Sequence, residues 1–348
     1  MRKILLIIFA LAAFSTFAQP LPHATVVKMR KMEDSLKLYS RKMIMDNTAS
    51  QRFSADSVFI RMLVRSLKTP NSFYYPFDSL ITVSHIYAPD SSFRIFSWQF
   101  TRDEDYYRQR GAIQMRTADG SLQLYPLIDM SDFTTAPQDS VRTAQNWIGA
   151  IYYGIVMKTF NNKKYYTLLG FDDNHMRSTK KWMEVLSFND QGKPVFGGPY
   201  FVYTNPEDKA KVTPGQSRFY LEFKKDGRAR MNYDSELDMI VYDHLVSETN
   251  EPDKVYTYVP DGDYQGFKWN NGRWLQVDKV FDFKLKDGEA PMPEPLKDEN
   301  GKNNEERLLQ QSEKNREKAE GVKSAPATPA KKPAKAVKGR KEKDEQEY

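Results

Sequence analysis

From about residue 80 to residue 285 the chain repeats one pattern: a short run in which Val, Ile, Tyr, Phe and Trp alternate with polar residues, then a turn pair, then another such run. Period-two alternation puts successive side chains on opposite faces of a strand, so each run reads as a strand in a sheet. The runs are Leu80–Tyr87, Phe93–Phe100, Ala112–Thr117, Leu122–Ile128, Ala150–Phe160, Tyr165–Phe171 and Trp182–Phe188. They continue with Val195–Tyr203, Arg218–Phe223, Ala229–Tyr233, Met239–His244, Lys254–Val259, Gly266–Trp269 and Trp274–Val277. Asp119-Gly120, Asp226-Gly227 and Asn271-Gly272 between them are tight-turn pairs, with Asn161-Asn162 a looser version, because Asn, Asp and Gly tolerate positive φ. Strand, short turn and strand repeated this often predicts antiparallel neighbours, since parallel neighbours need crossovers of a dozen residues or more. No ten-residue helical pattern breaks the series, which argues against a doubly wound α/β fold, and no repeat of fixed length supports a propeller.

The segment before the strands has a different period. Val26, Met29, Met32, Leu36, Tyr39 and Met43 fall on one helical face, and a second helix, with Ser54 as its expected N-cap, carries Val58, Phe59, Met62, Leu63 and Leu67 before Pro70. The expected fold is therefore mainly β (α+β): an N-terminal helical pair packed on a long antiparallel meander, as a curved sheet, open barrel or sandwich.

The two ends are of other material. Arg2 and Lys3, the apolar run Ile4 to Phe14 and the small-residue exit Ser15 to Ala18 have the form of a secretory signal peptide, cut between Ala18 and Gln19. That run is too short for a bilayer span, which takes about 20 residues, so the mature chain is expected to be exported, periplasmic or extracellular, with no transmembrane segment. The organisation read from these patterns is residues 1–18 signal, 19–72 helical, 73–296 β domain and 297–348 tail. The tail is charged up to residue 320 and Lys/Ala/Pro-rich beyond it, with too little to bury to offset ordering, so it is expected to be disordered.

Charge places the partners. The formal net charge is +6, but residues 1–18 carry +2 and residues 297–348 carry +3, leaving +1 for the 278 residues between. A domain so nearly neutral gives no support for specific nucleic-acid binding. The basic stretch 321–341 holds seven Lys or Arg and no acid, which suits an anionic envelope surface. A solvated linker would have the same composition.

Chemistry-bearing motifs are few. The absence of cysteine excludes disulfides, thiolate metal sites and a thiol nucleophile. Neither a nucleophile elbow, a phosphate-cradling loop, a zinc-protease motif nor a dinucleotide fingerprint occurs. Ser178-Thr179-Lys180-Lys181 matches Ser-x-x-Lys without its companion motifs. Asp172, Asp173, Asn174 and His175 put three oxygen-bearing side chains and an imidazole within four residues, a candidate metal loop in which the oxygens suit Ca²⁺; Asp and Asn also simply form turns. No other cofactor is implied. Asp261 and Asp263, near Trp269 and Trp274, have the texture of a carbohydrate site, with paired acids beside aromatics, although Pro260-Asp261-Gly262 is also a turn. Trp147 joins them as a candidate ligand-binding aromatic. In a meander such rings more often fill the core.

Tyr165–Asp173, Trp182–Tyr200, Arg218–His244 and Tyr258–Trp274 together resemble, in order and texture, an uncharacterised exported family of Bacteroidota-type Gram-negative bacteria over residues 140–280. Where that family has Trp-Asp-Gly-Asn, this chain has Phe171-Asp172-Asp173-Asn174. The resemblance implies export and one continuous β domain, and it transfers no catalytic residue. Two functions remain open at this point: a non-enzymatic envelope protein that binds or scaffolds, and a carbohydrate-active hydrolase or carbohydrate-binding module using exposed aromatics and Asp residues.

Overall fold

Two helices and fifteen strands form in a computed structural model that describes residues 21–102, 106–203, 215–281 and 313. The signal peptide expected over 1–18 and the basic stretch 321–341 lie outside the described residues, as does the rest of the tail 297–348 apart from Glu313. The chain divides into two compact units, Met1–Asp282 and Phe283–Tyr348; of the second only Glu313, in helical conformation, is described. Among the described residues no helix is long and apolar enough to cross a membrane.

Helix α1 (His23–Met45) buries Met29, Leu36 and Met43 at intervals of seven. Helix α2 (Ala49–Leu67) has its N-cap at Thr48, six residues before the expected Ser54, because Thr48 and Gln51 form a reciprocal capping box that satisfies the backbone amides of both residues. Both helices pack on the first sheet, built from β1 (Ser84–Tyr87), β2 (Phe93–Thr101), β3 (Tyr107–Met115) and β4 (Gln123–Leu127) in sequential antiparallel order. A second sheet contains β5 (Arg142–Thr143), β6 (Ile151–Phe160), β7 (Lys163–Asp172), β8 (Ser178–Phe188) and β9 (Pro194–Phe196). β10 (Phe201–Val202) belongs to the third sheet, whereas β11 (Arg218–Lys224) adds to β8 in the second. β12 (Met231–Asp234), β13 (Met239–Ser247), β14 (Tyr258–Asn270) and β15 (Arg273–Val277) complete the third, in the order β10-β15-β14-β13-β12. All pairings are antiparallel except β10 with β15.

The fold is mainly β with an N-terminal helical pair, as expected, and its antiparallel strands divide into three sheets with three cores. Period two explains how they stack. On β2, Phe93 and Ile95 face the second sheet, while Phe96, Trp98 and Phe100 face the helices. On β8, Trp182 and Leu186 face the first sheet, while Met183 and Val185 face the third. Strands buried on both faces read as continuous apolar runs, which is why these dense segments looked so much alike. Three expected strands change form. Leu80–Tyr87 is strand only from Ser84, because Leu80 and Val83 turn in under the helices. Val195–Tyr203 splits between two sheets. Lys254–Val259 is a 3-10 turn up to Thr257.

A buried network holds the middle sheet. Arg218 Nε donates to Glu184 Oε2 at 2.7 Å, and both side chains are almost wholly enclosed. Tyr152 donates to the other Glu184 oxygen and accepts from Trp147 Nε1 at 2.6 Å. Three of the four remaining guanidinium hydrogens reach the carbonyls of Pro137, Ser140 and Phe196 at 3.0, 2.5 and 3.2 Å, which ties the segment around residues 137–140 to the sheet.

Candidate functional site

A cleft of about 590 Å³ opens between β11 and the β13–β14 pair, where the edge of the second sheet meets the third. The aromatic rings of Tyr203, Phe219, Tyr220, Tyr242 and Tyr258 line it, with Phe219 and Tyr242 in contact at 4.7 Å between centroids. Tyr242 is buried, which pushes its phenol above the usual range, and it accepts from Gln276 at 3.0 Å. The side-chain amides of Gln138, Gln216 and Gln265 also line the cleft, and none has a hydrogen-bond partner among the described residues. Each such amide offers two donors and an acceptor.

At the rim His244 Nδ1 lies 2.7 Å from Asp261 Oδ2. The pairing comes from an irregularity: between the Asp243–Tyr264 and Leu245–Pro260 pairs, β14 spends three residues where β13 spends one. Gly262, at φ +98, lets the bulge form. Asp261 and Asp263 therefore sit in a bulged strand, not in the turn that Pro-Asp-Gly suggested. Asp261 is engaged by His244 and, at its other oxygen, by the Asp263 backbone amide at 3.0 Å. Burial works against ionisation, but these two bonds hold the Asp261 carboxyl below its ordinary value.

Two of the three candidate tryptophans are interior. Trp147 and Trp274 are fully buried, with their indole N–H groups donating to Tyr152 and, at 2.8 Å, to Thr167. They fill cores where the sheets meet and offer no stacking surface to a ligand. Trp269 is half-buried, edge-on to Trp274 and near Tyr165.

The Asp172–His175 loop does not converge on a cation. Asp173 is engaged by Lys225 Nζ at 2.8 Å and Gln99 Nε2 at 2.6 Å. Asn174 turns its amide nitrogen to Ser178 and Glu222. Asp172 points instead to Gln109. Protein donors draw Asp172, Asp173 and Asn174 to separate partners, and among the described residues no group of three His, Asp or Glu side chains gathers as a metal site requires.

His175, Ser178 and Glu222 do cluster, and their polarity decides what they are. The Arg177 amide donates to His175 Nδ1 at 3.1 Å, which leaves the ring hydrogen on Nε2, 3.2 Å from Ser178 Oγ. Ser178 Oγ in turn donates to Glu222 Oε1 at 2.6 Å. A nucleophilic serine must donate to the imidazole, so this arrangement is the reverse of a catalytic one, and Ser178 is buried besides. Burial, helped by Lys180, Lys225 and Arg177 and opposed by Glu222, keeps the His175 imidazole below its ordinary value, which favours the neutral ring this pattern needs. Ser178 and Lys181 stand three apart on a strand and so face opposite ways, which dissolves the Ser-x-x-Lys match.

Sequence reasoning missed the cleft because its parts are scattered. Its only local signal was the Pro-Asp-Gly-Asp bulge opposite a histidine in a neighbouring strand. Comparison with family models, with curated proteins and with solved structures finds no match for this chain.

Proposed function

We propose that this is an exported envelope protein that works by binding, and that the cleft between β11 and β13–β14 takes an uncharged, hydroxyl-rich ligand of the saccharide class. The observation that carries the reading is the cleft wall itself: four partly exposed aromatic rings, Tyr203, Phe219, Tyr220 and Tyr258, and three side-chain amides that have no partner among the described residues. Ring faces cover the C–H surfaces of a sugar, and amides pair with hydroxyls without the desolvation penalty of a charge. Titration calorimetry with neutral oligosaccharides tests it. Binding should appear and weaken about tenfold or more in Tyr258→Ala and Gln265→Ala, the loss of one well-placed contact. Absence of saccharide binding, or binding indifferent to both substitutions, contradicts it.

Export rests on the signal-like residues 1–18, and the resemblance to an exported family agrees with it. The basic stretch 321–341 fits a tether to anionic envelope surfaces. Deleting residues 297–348 should then lower the fraction that sediments with the envelope, and unchanged partition removes the tether. A hydrolytic reading has one observation in its favour, the His244–Asp261 pair at the cleft rim. It requires that bound oligosaccharide be cleaved and that His244→Ala abolish cleavage.

A further inference from the structure

Helix α1 carries a second apolar stripe, on the side away from the core. Val27, Leu38 and Met45 are 40%, 53% and 76% exposed. Their spacings of eleven and seven residues are close to whole numbers of helical turns, so the three lie in one line along the helix. Each stands two positions from Met29, Leu36 or Met43 of the buried stripe, about 200° around the axis. One apolar line thus holds the helix to the fold, and the opposite one forms its outward crest.

The crest is flanked by cations. Lys28, Lys31 and Lys42 follow one side of it, and Arg30, Lys37 and Arg41 the other. Asp34 is the single acid on this face, because Glu33 turns inward to Tyr75 and the Ser79 amide. No carboxylate among the described residues forms an ion pair with any of the six cations. Helix α2 extends the basic surface: Arg65 joins Lys28 and Lys31 in the lining of a groove of about 500 Å³ between the helices. Residues 23–68 hold ten Lys or Arg against four Asp or Glu, a net of +6, although residues 19–296 as a whole carry only +1. The charge is therefore one-sided, with a strongly positive helical pair on a remainder that is net negative, and such a field orients the chain toward a polyanionic surface.

The apolar line decides which polyanion fits. A phosphate backbone would match the charge and leave Leu38 and Met45 uncovered. An acidic partner helix docks its apolar face into a groove, whereas this stripe runs along a crest. A bilayer surface meets the whole crest at once. The apolar residues enter the acyl boundary, the Lys and Arg stems lie beside them, and the charged ends reach the headgroups.

We propose that the outer face of α1, with Arg65 of α2, docks on anionic phospholipid bilayers, with Val27, Leu38 and Met45 entering the interface and the flanking cations meeting lipid phosphates. The proposal depends neither on the saccharide cleft nor on the basic stretch 321–341.

The test uses a chain without cysteine, so Leu38→Cys places one environment-sensitive fluorophore on the full-length protein. It is titrated with vesicles of phosphatidylglycerol and phosphatidylcholine, with phosphatidylcholine vesicles, and with poly-glutamate. The expected result is a saturable blue shift with the mixed vesicles, none with phosphatidylcholine alone, and none from the same fluorophore at Gln191→Cys in the exposed β8–β9 turn. Lys31→Glu with Arg41→Glu, both exposed, should weaken vesicle affinity tenfold or more, and higher salt should weaken it too. No binding to mixed vesicles overturns the proposal, and binding without a shift at residue 38 overturns it by placing the contact elsewhere, as a tail tether would. So does a shift with poly-glutamate and not with vesicles, which would mark a face for an acidic protein, and so does an affinity indifferent to the paired charge reversal. Should the charge-reversed chain fail to fold, the two label positions in the chain of native charge still decide.

Discussion

Two stretches of one sheet face treat buried polar groups in opposite ways. In the row Glu184–Arg218 every strong group is answered: the guanidinium meets a carboxylate and three carbonyls, and the carboxylate meets a tyrosine that meets a tryptophan. Two residues away along β8, Trp182 leaves its N–H open, and across the ladder Asp172 leaves one oxygen open. A saturated network specifies one arrangement and has nothing left to offer a ligand. An enclosed donor left unpaired lowers stability. The difference teaches that burial alone does not fix what a polar group costs; the count of satisfied donors and acceptors does.

The largest expected effect breaks the saturated row. Glu184→Ala leaves the Arg218 charge enclosed without its partner and should lower the unfolding free energy by about 3–5 kcal/mol in urea titration. The double variant Glu184→Leu with Arg218→Met should recover most of that, because an apolar pair leaves no enclosed charge. A loss under 1 kcal/mol in Glu184→Ala would show that the network is ornamental and would dissolve the contrast.

The next effect is a pH dependence on the open side. Burial raises the folded Asp172 carboxyl from 3.8 to about 6; Asp129 and Asp173 push the same way, and the Asn174 amide and Lys180 pull back. Between those values the folded chain binds the proton more tightly than the unfolded one. The contribution of Asp172 is therefore most favourable below about pH 4 and declines as pH rises through 6, a span of about 3 kcal/mol at most. Asp172→Asn should flatten stability between pH 4 and 6 relative to the native chain. Asp90 carries the opposite sign: burial opposes its ionisation, but bonds from Lys164, Ser92 and Tyr166 hold its carboxyl well below the ordinary range. Its stabilisation is present above pH 4 and is lost on acidification, so Asp90→Asn should weaken the chain at neutral pH and not in strong acid.

Much of the fold was legible and little of the site was. The stripe Met29–Leu36–Met43 announced α1, and turn pairs such as Asn161-Asn162 and Asn271-Gly272, all at positive φ, announced their hairpins. The start of α2 was missed although Thr48-x-x-Gln51 is a capping-box signature, because the nearer Ser54 looked sufficient. Layering was illegible for a physical reason: β2, β7 and β8 are buried on both faces, so no polar face remained to show which way they turn. The same cause hid the fate of Trp147 and Trp274, interior here and candidates by composition. His244 and Asp261 lie seventeen residues apart and meet only through a bulge, which local patterns read as a turn. The metal reading of Asp172–His175 failed because sequence proximity says nothing about direction: Asp172 turns to Gln109 and Asp173 to Lys225 and Gln99, while Asn174 and His175 meet at Ser178.

The smallest effect is also the most direct measurement of the contrast: unfolding free energies of Trp147→Phe and Trp182→Phe, determined side by side by urea titration. Both substitutions remove a similar apolar area from the same core, so their difference isolates the hydrogen bond. Trp147→Phe takes away the donor to Tyr152, and Trp182→Phe removes one with no described partner. Trp147→Phe should therefore be the more destabilising by about 1–2 kcal/mol. Equal losses, or a greater loss in Trp182→Phe, would mean that the Trp182 N–H is satisfied within the fold and that the two rows do not differ.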